Sequence, residues 1–164
     1  MNNTVEAPLG ARIRDAAARL TFEASQFLGV TRNFEYGSAD ALINRRLLFE
    51  GARNRIKSVE EKVNLPTLYE QAALRGVNVE VICGPSTYSA IVEHLREHGV
   101  TVIVHSEHVP CDFDLVDGRN IRIAKKASHG KHQMPEAFMH KISPLTHANI
   151  MRDYNELRDQ PQSK

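Results

Sequence analysis

A chain of 164 residues has room for one sizeable core, and an apolar share of 41% is that of an ordinary globular protein. Its 21 basic residues nearly cancel its 20 acidic ones, leaving a formal charge of +1, so no global field draws it to nucleic acid or to an anionic membrane. Two cysteines build no disulfide framework, no apolar run reaches the length of a membrane span, and residues 1–10 lack the basic-then-apolar pattern of a signal peptide. The expected setting is a reducing cytoplasm, with no membrane partner.

Residues 1–7 read as a loose tail. From Pro8 to about Gln26 the composition is helical, with Leu9, Ile13, Ala16, Leu20 and Phe27 near heptad spacing and Ala17 and Ala24 beside them. Such a face suits packing on its own domain or pairing with a second chain, and the sequence leaves both open. Phe27 to Phe34 is a candidate edge strand, followed by a turn at Tyr36-Gly37-Ser38. A second helix is expected from about Ala39 to Arg55, its apolar arc formed by Leu42, Leu48, Phe49, Ala52 and Ile56. Arg45 projects into that arc. It either snorkels, pairs with a carboxylate, or offers a buried guanidinium to an anionic ligand. Arg55 to Val59 is a short candidate strand, and Glu60-Glu61-Lys62 reads as a solvated loop.

The chain is organised around Leu65 to Arg119. Leu65, Leu68, Tyr69, Ala72 and Ala73 line one face of a helix that Gly76 closes. Val77, Val79 and Val81 alternate into a strand ending at Cys83-Gly84-Pro85. Ser86 can cap the next helix, whose inner face carries Tyr88, Ile91, Val92 and Leu95. Gly99 ends it, and Val100, Val102 and Val104 form a second strand. Two strands joined through a helix in one sheet must be parallel. Phe113–Asp117 and Asn120–Ala124 flank Asp117-Gly118-Arg119, a hairpin signal.

Lys125 to Lys141 shows no periodicity and carries Lys125, Lys126, His129, Lys131, His132, His140 and Lys141. It reads as a basic loop and is the stretch that offers a patch to nucleic acid. Ser143-Pro144 starts a last helix with an N-cap serine and a proline at its first position. His147, Ile150, Met151, Tyr154 and Leu157 form its inward stripe, and a polar tail follows from Gln160. The expected fold is therefore a single α/β domain over 1–164, a mixed sheet with parallel central strands and helices on both faces.

In such a sheet ligands favour the crevice beyond the carboxyl ends of the strands. That edge carries Gly84, Pro85, Ser86 and Thr87 after one strand and His105, Ser106, Glu107 and His108 after the other. Ser86 and Thr87 open a helix, so they either cap it or present backbone N–H groups to an anion. With His105 and Arg45 they form the candidate ligand-binding set. His94 and His98 stand four apart on a helix, but no carboxylate follows the His-Glu-x-x-His arrangement, so no dedicated zinc site or cofactor is expected and opportunistic metal binding is the alternative. His129-Gly130-Lys131 followed by Glu136 reads His-x-Lys-x4-Glu, close to a phosphodiesterase motif in which the histidine attacks phosphorus. Pro135 interrupts it, and no strand alternation surrounds it.

The block from about Leu47 to Asp117 resembles one half of a phospholipase D-like fold. The matching phrases are Leu48-Phe49-Glu50-Gly51-Ala52-Arg53, the run Leu68 to Val79, Leu95-Arg96-Glu97-His98-Gly99-Val100, and Phe113-Asp114-Leu115-Val116-Asp117-Gly118. In the catalytic family the strand before Asp-Gly carries His-x-Lys-x4-Asp. With Asp117 as the acid, the histidine position falls on Pro110 and the lysine position on Asp112. The resemblance therefore implies a degenerate, non-catalytic member. It is similar to the sensing or dimerising domains of TrmB-type and some LuxR-type transcription regulators, although no helix-turn-helix module is evident. It also implies a homodimer, with the N-terminal helix as one contact, and a small anionic ligand or a partner protein. The competing expectations are a phosphodiesterase using His129, Lys131 and Glu136, and a nucleic-acid binder using the basic loop.

Overall fold

The computed structural model describes residues 9–35, 37–109, 111–125 and 136–160. These form α1 (Leu9–Leu28), β1 (Arg32–Phe34), α2 (Ala39–Glu50), β2 (Arg55–Glu60), α3 (Pro66–Leu74), β3 (Asn78–Cys83), α4 (Ser89–Glu97), β4 (Thr101–Val104), β5 (Cys111–Val116), β6 (Asn120–Lys125), β7 (Glu136–Met139) and α5 (Pro144–Asp159). The strands make one sheet in the order β1-β7-β6-β5-β2-β3-β4. β2, β3 and β4 are parallel, as the connecting helices α3 and α4 require. β5 runs antiparallel to β2, and β6, β7 and β1 continue the antiparallel half.

The two-residue period of the strands divides their side chains between two cores. Val79, Val81 and Cys83 meet Leu48, Phe49, Tyr69 and Leu95 on the face covered by helices α2 to α4, with Phe22 of α1 at its edge. Val59, Ile82, Phe113, Leu115 and Ile121 meet Tyr154 of α5 on the other. Helices thus lie on both faces, and the Val77–Cys83 and Val100–Val104 segments are parallel neighbours, as expected. No described helix is long and apolar enough to cross a membrane.

Several boundaries differ from those expected. α1 continues to Leu28, so the edge strand keeps only Arg32–Phe34. α2 stops at Glu50 rather than Arg55: Gly51 caps it, and the Asp117 carboxylate takes the N–H groups of Arg53, Asn54 and Arg55 at 2.9–3.0 Å, which turns the chain into β2. Glu60 is not a solvated loop residue but the buried last residue of β2. Ser86 does not cap α4, which starts at Ser89 after Tyr88 with no side-chain cap. Ser143 does cap α5, its hydroxyl accepting from the Thr146 N–H at 3.1 Å. The stretch expected to be all basic loop contains β7, while Lys126, His129, Lys131 and His132 lie outside the described residues. At the β5–β6 turn Asp117 and Gly118 both take positive φ, 50° and 66°, the conformation the Asp-Gly pair signalled.

Candidate functional site

At the carboxyl ends of the parallel strands the candidate crevice is built around the chain's own Glu61, which follows β2. Gly84 follows β3 and donates its N–H to the Glu60 carbonyl at 2.9 Å. Glu61 then packs directly on Gly84: a Cβ there would lie 2.4 Å from Glu61 Oε2 and 2.8 Å from its carbonyl oxygen. The glycine is needed for this close approach. The Glu61 carboxylate accepts from the Ser86 hydroxyl at 2.9 Å, the Val109 N–H at 3.0 Å and the exposed His108 Nδ1–H at 2.5 Å. The Glu61 N–H in turn donates to Asp112 Oδ1 at 3.0 Å.

The structure brings Ser86, Thr87 and His105 to this one sheet edge, each bonded within the protein. The Thr87 hydroxyl accepts from the Val63 N–H at 3.2 Å. His105 donates its N–H to the Cys83 carbonyl at 2.8 Å, and its buried ring donates Nε2–H to Gln160 Oε1 at 2.9 Å, beyond the end of α5. This edge is therefore polar, with the Glu61 carboxylate held among its donors.

Arg45 sits apart from that edge, under α2. It is 4% exposed, and its guanidinium is taken up by three neighbours. Nε donates to Asp114 Oδ2 at 2.9 Å, while one amino group donates to Asp114 Oδ1 at 3.1 Å, to the Tyr69 hydroxyl at 2.7 Å and to Glu60 Oε1. Asp114 also receives Arg122 at 3.1 Å, and Arg122 Nε donates to Glu136 at 3.2 Å. This places two guanidinia and three carboxylates out of water, linking α2, β2, β5, β6 and β7. Burial pushes the Asp114 carboxyl up, but Arg45 and Arg122 outweigh it and hold it below the usual carboxylate range. Burial likewise pushes the Tyr69 phenol up.

The positions that the phospholipase D resemblance singled out are built for structure rather than for holding phosphate. Asp112, in the lysine place, is buried and accepts the Glu61 N–H. Asp117, in the acid place, clamps the start of β2 through three backbone N–H groups. Glu136 is buried in β7 against Arg122. Pro110, His129 and Lys131 lie outside the described residues.

Two features were not anticipated from the sequence. The crevice carboxylate, Glu61, looked like part of a charged loop. Its signal was the glycine at 84, since a glycine at a strand end often marks close approach by another group. A cavity of about 430 Å³ between α5 and the sheet was also missed; Phe113, Ile121, Ile123, Ile150 and Leu157 line it, with Asp153 among its polar members. Its apolar wall comes from residues that alternation alone assigns to core.

No protein-family model matches this chain, nor does any curated protein. Solved structures do. TrmBL2, an archaeal chromatin protein whose structure shows a novel mode of DNA binding, has a TM-score of 0.61 at 14% identity, covering 90% of this chain and 61% of that one. Nuc from Salmonella typhimurium, a phospholipase D family member, has a TM-score of 0.64 at 12% identity, covering 82% and 98%. NucT from Helicobacter pylori has a TM-score of 0.60 at 13% identity, covering 78% and 93%. This chain thus spans about three-fifths of the length of TrmBL2 and most of the two others. The likeness, together with the mixed sheet and its parallel centre, shows that this chain has a phospholipase D-like fold.

Proposed function

We propose that the chain forms one non-catalytic phospholipase D-like domain, acting by association as a sensing or protein-interaction unit in transcription regulation. One observation carries this reading: a buried carboxylate, Asp112, stands at the position where the catalytic family has its phosphate-holding lysine. Glu61 adds a second negative charge in the same crevice. Both repel the phosphate oxygens that a phosphodiesterase must hold. The reading departs from the expectation of an anionic ligand at Ser86 and Thr87, because a carboxylate already sits where the anion needs donors. Fold likeness to a chromatin protein supports the regulatory direction. The cytoplasm is the setting this role implies.

Turnover of bis(4-nitrophenyl) phosphate tests the non-catalytic half of the proposal. Wild type is expected to release no nitrophenol above buffer. Turnover that both His129→Ala and Lys131→Ala abolish overturns the reading and makes the chain an enzyme with a relocated motif.

Association is proposed through α1 as a homodimer. Its described outward face leaves Leu20, Phe27 and Leu28 at 69%, 79% and 69% exposure, an apolar cost that a partner helix removes. Sedimentation is expected to show a dimer for wild type and a monomer for Leu20→Glu combined with Phe27→Glu. A monomeric wild type at high micromolar concentration contradicts the dimer.

A further inference from the structure

Away from the crevice, α3 and α4 lie side by side on one face of the sheet. Positions 94 and 98 are one helical turn apart, so His94 of α4 and His98, which caps its C-terminus, project from the same side. Glu70 of α3 reaches between them. Its two oxygens divide between the two rings: Oε2 is 3.3 Å from His94 Nε2, and Oε1 is 3.5 Å from His98 Nε2. The rings stand 4.3 Å apart between centroids with a 42° tilt. The three groups offer ligand atoms that all lie within 4.8 Å of one another.

We infer that Glu70, His94 and His98 form a binding site for a divalent transition-metal ion, zinc by its donor chemistry, that staples α3 to α4. The tautomer of His98 is the first argument. Its Nδ1 is 2.8 Å from the His94 carbonyl oxygen, an acceptor only, so Nδ1 carries the proton. In the neutral ring Nε2 is then a bare lone pair, 3.5 Å from a carboxylate oxygen. Two acceptors facing each other repel unless a cation lies between them. A proton on His98 would answer that contact alone, with His94 donating its own Nε2–H to Glu70 Oε2. One metal ion satisfies all three groups together. It also uses the backbone-bonded Nδ1–H that commonly orients a ligating histidine.

Distance is the second argument. The His94 contact is a long hydrogen bond at 3.3 Å, and the His98 separation, at 3.5 Å, is longer than a hydrogen bond. Each is near the donor–donor spacing around zinc, about 3.3 Å for bonds of about 2.0–2.1 Å, although the two end on different Glu70 oxygens, so one carboxylate oxygen must shift to serve both rings. Two imidazoles and one carboxylate are a donor set that zinc accepts readily and magnesium does not. His94, His98 and Glu70 are 46%, 32% and 24% exposed at the side chain, so an ion enters from solvent and water completes the fourth position.

The test is a calorimetric titration of the full chain with zinc chloride at pH 7.5, beside magnesium chloride. The expected result is one zinc per chain with a micromolar Kd and no magnesium binding. His94→Ala and His98→Ala should each weaken zinc by at least about tenfold, the scale of disturbing a ligand set. Glu70→Gln should weaken it too, and His147→Ala should leave it unchanged. All four positions are on the surface, and circular dichroism confirms that each variant is folded. Zinc should also raise the thermal midpoint of wild type but not of His98→Ala, because an ion that binds only the folded chain stabilises it. Absence of zinc binding overturns the inference. So does binding of undiminished affinity in His94→Ala and His98→Ala, which would place the ion elsewhere.

Discussion

The His140 ring meets Phe22 of α1 edge-on, 4.9 Å between centroids, and its Nδ1 is 3.3 Å from Asn120 Oδ1. Burial, reinforced by the Arg32 charge, pushes its pKa from 6.5 down to about 4. The folded chain therefore binds fewer protons here than the unfolded chain between those two values. Stability contributed by His140 is present above about pH 6.5 and is lost as pH falls toward 4. Urea unfolding of wild type between pH 7 and 5 should show this decline, and His140→Gln should flatten it. An unchanged slope in that variant would remove His140 as the cause. In sequence His140 looked like one more basic-loop residue. Nothing local announces that a helix more than a hundred residues earlier packs on it. Arg45 was more legible, because a charge inside an apolar arc demands an explanation. Its partners, Asp114 and Glu60, could not be named until the sheet aligned them.

At the scale of elements, the buried charge cluster holds the two halves of the sheet together. Arg45 of α2 joins Glu60 of β2 to Asp114 of β5, and Arg122 of β6 joins Asp114 to Glu136 of β7. Ion pairs out of water are costly to break one-sidedly, because the remaining charge is stranded. Arg45→Met should therefore destabilise the fold by about 3–5 kcal/mol in urea unfolding. A loss under about 1 kcal/mol would mean that water reaches Asp114 and Glu60, contrary to their burial. The same cluster explains why β7 was missed. Glu136-Ala137-Phe138-Met139 is four residues long, and its inward glutamate breaks the apolar alternation by which a strand is recognised. The hairpin of β5 and β6 and the helices α3 and α4 were legible because Gly, Pro and Asp-Gly punctuate them. The end of α2 was not, since Asp117, which turns the chain there, lies over sixty residues downstream.

For the molecule as a whole, the parallel pairing of the Val77–Cys83 and Val100–Val104 strands followed from the helix that joins them, while the place of β2 beside β3 and the order of the antiparallel half came only with the folded chain. The proposed function rests on fewer atoms. Gly84 admits Glu61 to the crevice, Asp112 holds the Glu61 backbone, and Ser86 and Val109 hold its carboxylate. None of these pairings is local in sequence, so the charge of the site emerged only from the folded chain. Under the proposed function, Glu61 places a carboxylate where phospholipase D catalysis needs phosphate. A titration of the 15N-labelled chain with inorganic phosphate, followed by the amide signals of Gly84, Ser86, Thr87 and His105, tests it most directly. The account predicts no saturable shift at these four amides. A saturable shift shared by them, with a Kd in the millimolar range or tighter, would contradict it.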